Sequence, residues 1–388
     1  MKIEKIPNEE SSDSLGDFNE ETIINNTEIP EIRIQTFQDF NLNEILLLNI
    51  RNAQFENPSP VQGISIPKVL LKRDILCQAK SGTGKTAVFV IGTIENYLRG
   101  INTNNNNTIN TIVCCPTEEL SHQIFLEYKR FCKNLKIRVS TDSTETDFFI
   151  GTPETFFSDP LLMHKINTIN TLVVDECDLV VNNRHFQKFL KTAVERNKHF
   201  NILMFTATLT KETKRNCLSL LNDPFEIYVD DDTKLTLYGL KQFYVETKES
   251  DKISVLNKIL QKGKKTIIFC RRTQNAKYIP TAIRNAQFLT SYESPRRRIR
   301  VLNDFRRGVF TILSTTDILS RGIDVSEVDL IVNYDIPETP QDYLHRVGRA
   351  GRFETEGIAI NFVNGVADKM RLNEIKMRYE IDIKEYKL

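Results

Sequence analysis

Three carboxylates lie at the end of a predicted buried strand in the stretch TLVVDECDLVV, residues 171–181. Asp175 and Glu176 directly follow the apolar run Leu172–Val174, and Asp178 comes two residues later. Burying an unpaired carboxylate is costly. The cluster therefore indicates either a site for a cation and a reaction that uses the acids, or an ordinary polar turn. The stretch alone leaves both alternatives open.

A glycine-rich loop, AKSGTGKT, lies between an apolar strand pattern and a helical pattern, which is the context that a phosphate-binding loop requires. We predict that nucleotide is bound by all eight of its residues, Ala79, Lys80, Ser81, Gly82, Thr83, Gly84, Lys85 and Thr86. The glycines let backbone N–H groups face phosphate oxygens, and Lys85 supplies a positive charge to the β and γ phosphates. Thr86 offers its hydroxyl to Mg²⁺.

A phosphate-binding loop would give the strand-end carboxylates a function at the same nucleotide. Asp175 is then the second anchor for Mg²⁺, and Glu176 is placed to orient or deprotonate an attacking water. Together the two segments predict hydrolysis of ATP or GTP.

Short runs rich in Ile, Val and Phe alternate with helical patterns in both halves of the chain, which predicts an α/β fold with two related domains facing each other. Nearly every run ends in Thr, Ser, Asp, Pro or a charged residue. Because ligands bind beyond the carboxyl ends of strands in such sheets, we expect a site built from strand ends.

Composition limits the class of protein. The 388 residues are 40% hydrophobic and 27% charged, as in globular proteins of two or three domains. No apolar run approaches the roughly 18 residues of a membrane span, and the start has no apolar signal core, so we expect neither membrane insertion nor secretion. Seven cysteines without a C-x-x-C pair predict a reduced compartment, cytosol or nucleus. The net charge of +1 means that nucleic acid would be bound by local patches.

We predict four segments along the chain. They are a flexible acidic extension (1–34), an N-terminal ATP-binding domain (35–230), a linker (231–238) and a C-terminal domain (239–388).

With these residues in view, the chain resembles the DEAD-box RNA helicases, and most closely their DECD branch of spliceosome-assembly and mRNA-export ATPases. The tetrapeptide at 175–178 gives that branch its name, and LCQAKSGTGKTAVFV and VDDDTKLTLYGLKQFYVETK are also similar. The resemblance runs from about Phe37 to the C-terminus. It implies two tandem RecA-like domains, ATP and Mg²⁺ as cofactors, and single-stranded or short duplex RNA as substrate. It also implies splicing and export proteins as partners, and a nuclear monomer.

The resemblance assigns roles around the nucleotide. Gln62 would read the adenine edge and Phe37 would stack on its face, although Phe37 could instead be a core aromatic. Asp324 would contact the ribose. In TAT (206–208), Thr206 and Thr208 would link hydrolysis to domain closure.

The intact motif HRVGRAGR (345–352) supplies the remaining roles. Arg349 and Arg352 would reach the γ-phosphate as arginine fingers, and His345 would lie near the TAT turn. The alternative for the two arginines is a solvated helix face.

The motifs that contact RNA in the family are altered here. Glu118 replaces a phosphate-binding arginine, and the Gly-Gly motif and its helix are missing after Val139. The other departures are Glu154 and Thr155 for Gly-Arg, TSY (290–292) for HRG, and Pro295 with Arg298 for QxxR.

Six arginines occur between 296 and 307, and they either contact RNA phosphates or form a solvated or partner-binding face. Two functions therefore remain open. The chain is an RNA-remodelling ATPase, or it is a nucleotide-switched scaffold for splicing and export partners with weak or lost unwinding.

Overall fold

The computed structural model describes residues 34–79, 82–100, 108–142, 145–229, 240–260, 263–317, 325, 328–350 and 357–387. The predicted acidic extension, apart from its last residue, and the predicted linker lie outside these ranges, so the four-segment division stays a prediction. Two seven-stranded sheets, each flanked by helices, confirm the predicted α/β fold with one parallel sheet in each half. Within the described residues, no helix has the length and apolar character needed to cross a membrane.

The first sheet has the strand order β3-β4-β2-β5-β6-β1-β7. Its strands are β1 (Ile75–Gln78), β2 (Thr111–Cys114), β3 (Val139–Ser140), β4 (Phe148–Gly151), β5 (Thr171–Asp175), β6 (Asn201–Thr206) and β7 (Phe225–Tyr228). The flanking helices are α1 (Glu44–Asn52), α2 (Pro60–Leu70), α3 (Lys85–Arg99), α4 (Glu118–Phe131), α5 (Pro153–Ser158), α6 (Pro160–Lys165), α7 (Cys177–Val180), α8 (Arg184–Arg196) and α9 (Lys211–Leu218). Short 3₁₀ helices span Phe37–Phe40 and Ile166–Thr168.

The second sheet has the order β10-β11-β9-β12-β13-β8-β14. Its strands are β8 (Leu240–Glu246), β9 (Thr266–Phe269), β10 (Ala286–Leu289), β11 (Ile312–Thr315), β12 (Leu330–Asn333), β13 (Gly357–Val363) and β14 (Lys384–Glu385). Its helices are α10 (Lys252–Ile259), α11 (Thr273–Ala282), α12 (Pro295–Arg306), α13 (Pro340–Val347) and α14 (Gly365–Tyr379), with a 3₁₀ turn at Glu249–Asp251.

Most of the strands are largely apolar because helices cover both faces of each sheet. Every residue of β2, β4 and β5 is buried, as expected for parallel strands between two helical layers. Each domain accordingly has two hydrophobic clusters, one on each face of its sheet. The rigid sheets fix where the strand ends, and therefore the functional side chains, lie.

The connection from β3 to β4 is unusually short. Parallel strands normally need a crossover of a dozen or more residues, usually with a helix. Here β3 has two residues, and the described residues between it and β4 contain no helix. Arg138, before β3, forms an ion pair with Asp147, before β4, at 3.0 Å between Nη2 and Oδ1. These features agree with the predicted loss of the Gly-Gly motif and its helix.

Candidate nucleotide site between the two domains

The phosphate loop joins β1 to α3 in the predicted context. Gly84, the residue before α3, has φ = 96°, and a Cβ atom there would lie 2.2 Å from Nε2 of Gln62. Only glycine therefore fits this position. The Gln62 side chain donates a hydrogen bond to the carbonyl of Gly84 at 3.3 Å, so the adenine-reading candidate is tied directly to the loop. Lys80 and Ser81 lie outside the described residues.

Lys85 begins α3 and is 7% exposed. Its Nζ donates to the carbonyl of Ala79 at 2.5 Å, which turns the ammonium group back across the loop. Thr86 is the next residue of the same helix. The loop therefore presents a buried positive charge and a helix N-terminus at one place, an arrangement that suits an anionic ligand.

Asp175 ends β5, and Glu176 follows it with a left-handed backbone at φ = 49°. Both side chains are buried, and Oδ1 of Asp175 accepts a hydrogen bond from the Glu176 backbone N–H at 3.0 Å. Within the described part of the chain, Oε2 of Glu176 has no hydrogen-bond partner. A strained, buried and unsatisfied carboxylate is not what an ordinary polar turn provides, so the geometry favours the functional alternative.

The pKa values of these two acids follow from their burial. Burial raises the pKa of Asp175, and the charge of Lys85 opposes that rise. Burial, with Asp175 as its neighbour, likewise raises the pKa of Glu176, and the charges of Lys85 and Arg349 oppose it. Perturbed acids in a cleft are typical of catalytic sites.

The same region matters for Mg²⁺ binding because Asp175 is the predicted ligand of that ion. No cluster of three or more His, Cys, Asp or Glu side chains suited to a metal occurs among the described residues. Asp175 carries a carboxylate and Thr86 a hydroxyl, oxygen donors of the kind that Mg²⁺ combines with phosphate oxygens and water at nucleotide sites.

Asp178 connects this site to the second domain, a role that its place in the sequence does not reveal. Its Oδ1 accepts from the hydroxyl of Thr206, and its Oδ2 accepts from that of Thr208, each at 2.9 Å. The Thr208 hydroxyl also lies 3.2 Å from Nε2 of His345. The predicted proximity of His345 to the TAT turn is therefore present. The position of Asp178 two residues after Glu176 was the only signal in the sequence.

Arg349 follows α13 of the second domain and is 1% exposed. Its Nε donates to the carbonyl of His345 at 3.3 Å, and its charge acts on Glu176 of the first domain. The structure therefore places Arg349 where its charge acts on Glu176, and not on a solvated face. Arg352 and Asp324 lie outside the described residues.

Phe37 does not stand as an open adenine platform. It is 1% exposed, and its ring packs edge-on against Phe40 and Phe55 at centroid distances of 5.8 and 6.2 Å. The ring belongs to the hydrophobic core of the first domain. This packing favours the core alternative over adenine stacking, because a stacked base needs an accessible ring face.

Two of the altered RNA motifs, at Glu118 and at Glu154, lie on the first domain. Glu118 is exposed at the first position of α4. Glu154 accepts a hydrogen bond from the Asn183 side chain at 3.0 Å and lies 3.7 Å from Nδ1 of His185. Neither residue offers the positive charge that would hold a phosphate.

The arginine-rich segment forms α12, and one of its arginines makes a contact that neither predicted alternative includes. Arg298 faces inward and forms an ion pair with the buried Glu119 of α4, in the other domain. Arg300 is 84% exposed and pairs with Asp304 on its own helix. The sequence could not show this contact, because the partner helices belong to different domains.

Comparison with known proteins agrees with this arrangement. The DEAD/DEAH box helicase family matches residues 59–216, and the helicase conserved C-terminal domain matches residues 251–354. ATP-dependent RNA helicase sub2 of Sclerotinia sclerotiorum is 37% identical over 90% of this chain and 83% of its own. DEAD-box ATP-dependent RNA helicase 56 of Oryza sativa subsp. japonica is 35% identical over 90% of this chain and 85% of its own.

A solved structure shares both domains and their arrangement. It is S. cerevisiae Dbp5 bound to RNA and ADP BeF3, with a TM-score of 0.80 and 25% identity over 90% of this chain and 95% of that one. The two sheets are thus those of tandem RecA-like domains.

Proposed function

Because the chain belongs to the DEAD-box family of ATP-dependent RNA helicases, we propose that it acts in pre-mRNA splicing and mRNA export in the nucleus. The proposal is supported by the tetrapeptide Asp-Glu-Cys-Asp at 175–178 and by the likeness to sub2. We further propose that it works as a monomer with protein partners of those two processes.

The proposed hydrolytic site lies between the two domains. The phosphate loop and Lys85 bind the phosphates of ATP, and Gln62 reads the adenine. Thr86 and Asp175 hold Mg²⁺, which neutralises phosphate charge when it is bound. The observation that carries the proposal is the buried, unpaired Oε2 of Glu176, opposite Arg349 of the other domain.

Each proposed role follows from the chemistry of the side chain. Glu176 accepts the proton of the attacking water, which a buried carboxylate of raised pKa does well near neutral pH. Arg349, with Arg352, stabilises the charge that develops on the transferred phosphoryl group. The hydrogen bonds from Asp178 through Thr208 to His345 couple this chemistry to closure of the domains. Asp324 keeps its proposed contact with the ribose.

The alternative is a nucleotide-switched scaffold. It is favoured by the acidic residues Glu118 and Glu154, which stand where the family has residues that contact RNA. Strand displacement from a short labelled RNA duplex separates the two functions. We expect ATP-dependent displacement by the wild type and none by Glu176→Gln, which keeps the shape of the site. Hydrolysis without any displacement would favour the scaffold.

The cellular role has its own test. The Glu176→Gln variant, which should remain on its RNA, is expressed in cells of the source organism and crosslinked to bound RNA. We expect nuclear protein with intron-containing and newly spliced transcripts. Recovery of ribosomal or organellar RNA alone would contradict the role in splicing and export.

A further inference from the structure

A cavity of about 800 Å³ lies at the amino edge of the first sheet, where its strands begin. Sites for small molecules in proteins typically have volumes of about 300–1,000 Å³. Helix α3 runs between this cavity and the nucleotide residues, because Lys85 begins the helix and Asn96, near its end, lines the cavity. The helical rise between these two residues is about 16 Å. The cavity is therefore separate from the candidate nucleotide site.

Three asparagines occupy neighbouring positions in the cavity lining. Asn110 comes directly before β2, Asn170 comes directly before β5, and Asn201 begins β6. The backbone N–H of Asn170 donates to the carbonyl of Asn110 at 2.8 Å, and that of Asn201 donates to the carbonyl of Asn170 at 3.0 Å. Because neighbouring strands are about 4.8 Å apart, the row spans about 10 Å. Amide side chains both donate and accept hydrogen bonds, so this row suits a ligand with several hydroxyl groups.

Two amides of the lining each have a buried polar atom without a hydrogen-bond partner. Nδ2 of the buried Asn96 donates to the carbonyl of Val69 at 2.8 Å, and among the described residues its Oδ1 has no partner. Oδ1 of Asn201 accepts from the hydroxyl of Thr171 at 3.0 Å, and its Nδ2 is likewise without a partner there. Buried polar groups are normally hydrogen-bonded. One acceptor and one donor are therefore left, and the hydroxyl groups of a ligand would satisfy both.

The acidic side chains of the lining are already engaged by their neighbours. The two carboxylate oxygens of Asp74 each accept a backbone N–H at 2.7 Å. Asp147 forms an ion pair with Arg138, and Asp223 forms one with Arg73. These acids do not supply free negative charge that would repel an anion as strongly as unpaired carboxylates would.

Two lysines of the lining are not paired with an acid. Lys72 and Lys198 are exposed, and neither forms an ion pair within the part of the chain that the structure describes. Lys72 also has φ = 53°, in the left-handed region, so lysine takes this turn at a conformational cost that glycine would avoid. Ammonium groups of this kind form charge-assisted hydrogen bonds with phosphate oxygens. The lining thus combines positive charge with amides that suit hydroxyl groups.

We propose that this cavity binds a phosphorylated sugar, with the phosphate held by Lys72 and Lys198 and the hydroxyl groups held by Asn96 and Asn201. A sugar without phosphate would leave the lysines unused, and free phosphate would leave the amides unpaired. The partly exposed ring of Phe200, which also lines the cavity, is available to cover an apolar face of the sugar. The inference does not depend on the proposed hydrolytic site, since no described residue of that site lines the cavity.

The first test is isothermal titration calorimetry of the full chain with glucose 6-phosphate, ribose 5-phosphate, glucose and inorganic phosphate. We expect one saturable site for a sugar phosphate, at least tenfold tighter than for glucose or phosphate, because only the combined molecule engages both the amides and the lysines. Lys72→Gln and Lys198→Gln should each weaken this binding about threefold or more. Lys188→Gln, which is exposed on α8 and outside the lining, is the matched control and should equal wild type.

The amides have a separate test. Asn201→Ala removes the unpaired donor and should weaken the binding of the sugar phosphate about tenfold, while the weak binding of inorganic phosphate stays unchanged. Hydrogen exchange then locates the bound probe. Saturating sugar phosphate should slow backbone exchange in residues 197–202 and 219–223, which line the cavity, and not in residues 82–88 at the phosphate loop.

Three results would overturn the proposal. The first is the absence of saturable binding for both sugar phosphates. The second is an affinity equal to that of inorganic phosphate, which would mean that the cavity does not recognise a sugar. The third is protection at the phosphate loop together with competition by a non-hydrolysable ATP analogue, because the probe would then occupy the nucleotide site. Since none of these measurements uses hydrolysis, failure of the proposed ATPase would not change their outcome.

Discussion

The nucleotide side and the RNA side of the first domain are built on neighbouring strand ends, yet their side chains are held differently. On the nucleotide side, Lys85, Asp175 and Glu176 are all less than one-tenth exposed, and the charge of Lys85 acts on both acids. On the RNA side, Glu118 and Glu154 are on the surface. Groups locked by packing cannot change alone without leaving an unpaired charge, whereas exposed contacts can change at little cost to the fold.

The largest effect is expected when the nucleotide side loses Arg349, the residue that the second domain contributes to it. We expect Arg349→Ala to lower ATP turnover by about three decades, the usual size for an arginine finger. Each separated domain should stay folded, because the arginine acts across the cleft. Single-turnover hydrolysis and thermal denaturation check this. A second domain that melts early in the variant would point to a structural role instead.

The next largest effect concerns the unpaired acid. Glu176→Gln should leave ATP binding nearly intact and lower turnover about 100-fold or more. Because burial raises the pKa of Glu176, the wild-type rate should also fall as pH drops through the neutral range, and the variant should lose that dependence. Rapid-quench kinetics between pH 6 and 8 measure both. A wild-type rate in the variant would exclude Glu176 as the base.

Lys85→Ala tests whether the loop binds phosphate. The variant loses the buried ammonium group aimed at the β and γ phosphates, so ATP affinity should fall about 10- to 100-fold. Calorimetry gives the affinity. Lys129→Ala, on the outer surface of α4, serves as the control for a lost surface charge. Equal affinities for wild type and Lys85→Ala would reject the phosphate-loop assignment.

The requirements of the nucleotide side are local, so the sequence indicates its loop and its strand-end acids. Gly84 must be glycine because its backbone has a positive φ and a Cβ atom would collide with Gln62. Asp175 and Glu176 come at the end of an apolar run that the sequence identifies as a buried strand. Contacts between distant segments were not predictable in this way. The sequence indicates no role for Asp178, since both of its threonine partners lie at the end of another strand, β6, or just after it.

Two residues match a family motif and yet make other contacts in the folded chain. Arg298 aligned with an RNA motif, yet it faces Glu119, whose importance depends on burial that only the folded chain defines. Phe37 aligned with an adenine motif, yet its ring is packed into the core. In both cases the residue type matches the family motif, but the packing of the folded chain determines which residues it contacts.

The smallest expected effect comes from returning a positive charge to the RNA side. Glu118→Arg should remove a repulsion of roughly 1 kcal/mol or more and add an attraction of similar size, so RNA affinity should rise about tenfold. The gain should shrink with salt, because phosphate contacts release counterions. Fluorescence anisotropy on a labelled single strand, with a non-hydrolysable ATP analogue at two salt concentrations, measures it. Equal affinities at low salt would mean that Glu118 does not face RNA.

The most direct measurement is the turnover of wild-type protein with Mg²⁺ and ATP, first without RNA and then with saturating single-stranded RNA. An intact nucleotide side beside altered RNA contacts predicts clear hydrolysis without RNA, within about tenfold of the rate with saturating RNA. Hydrolysis that is absent without RNA and rises by more than 100-fold with it would contradict the account. It would mean that RNA still assembles the site across the surface where its contacts have changed.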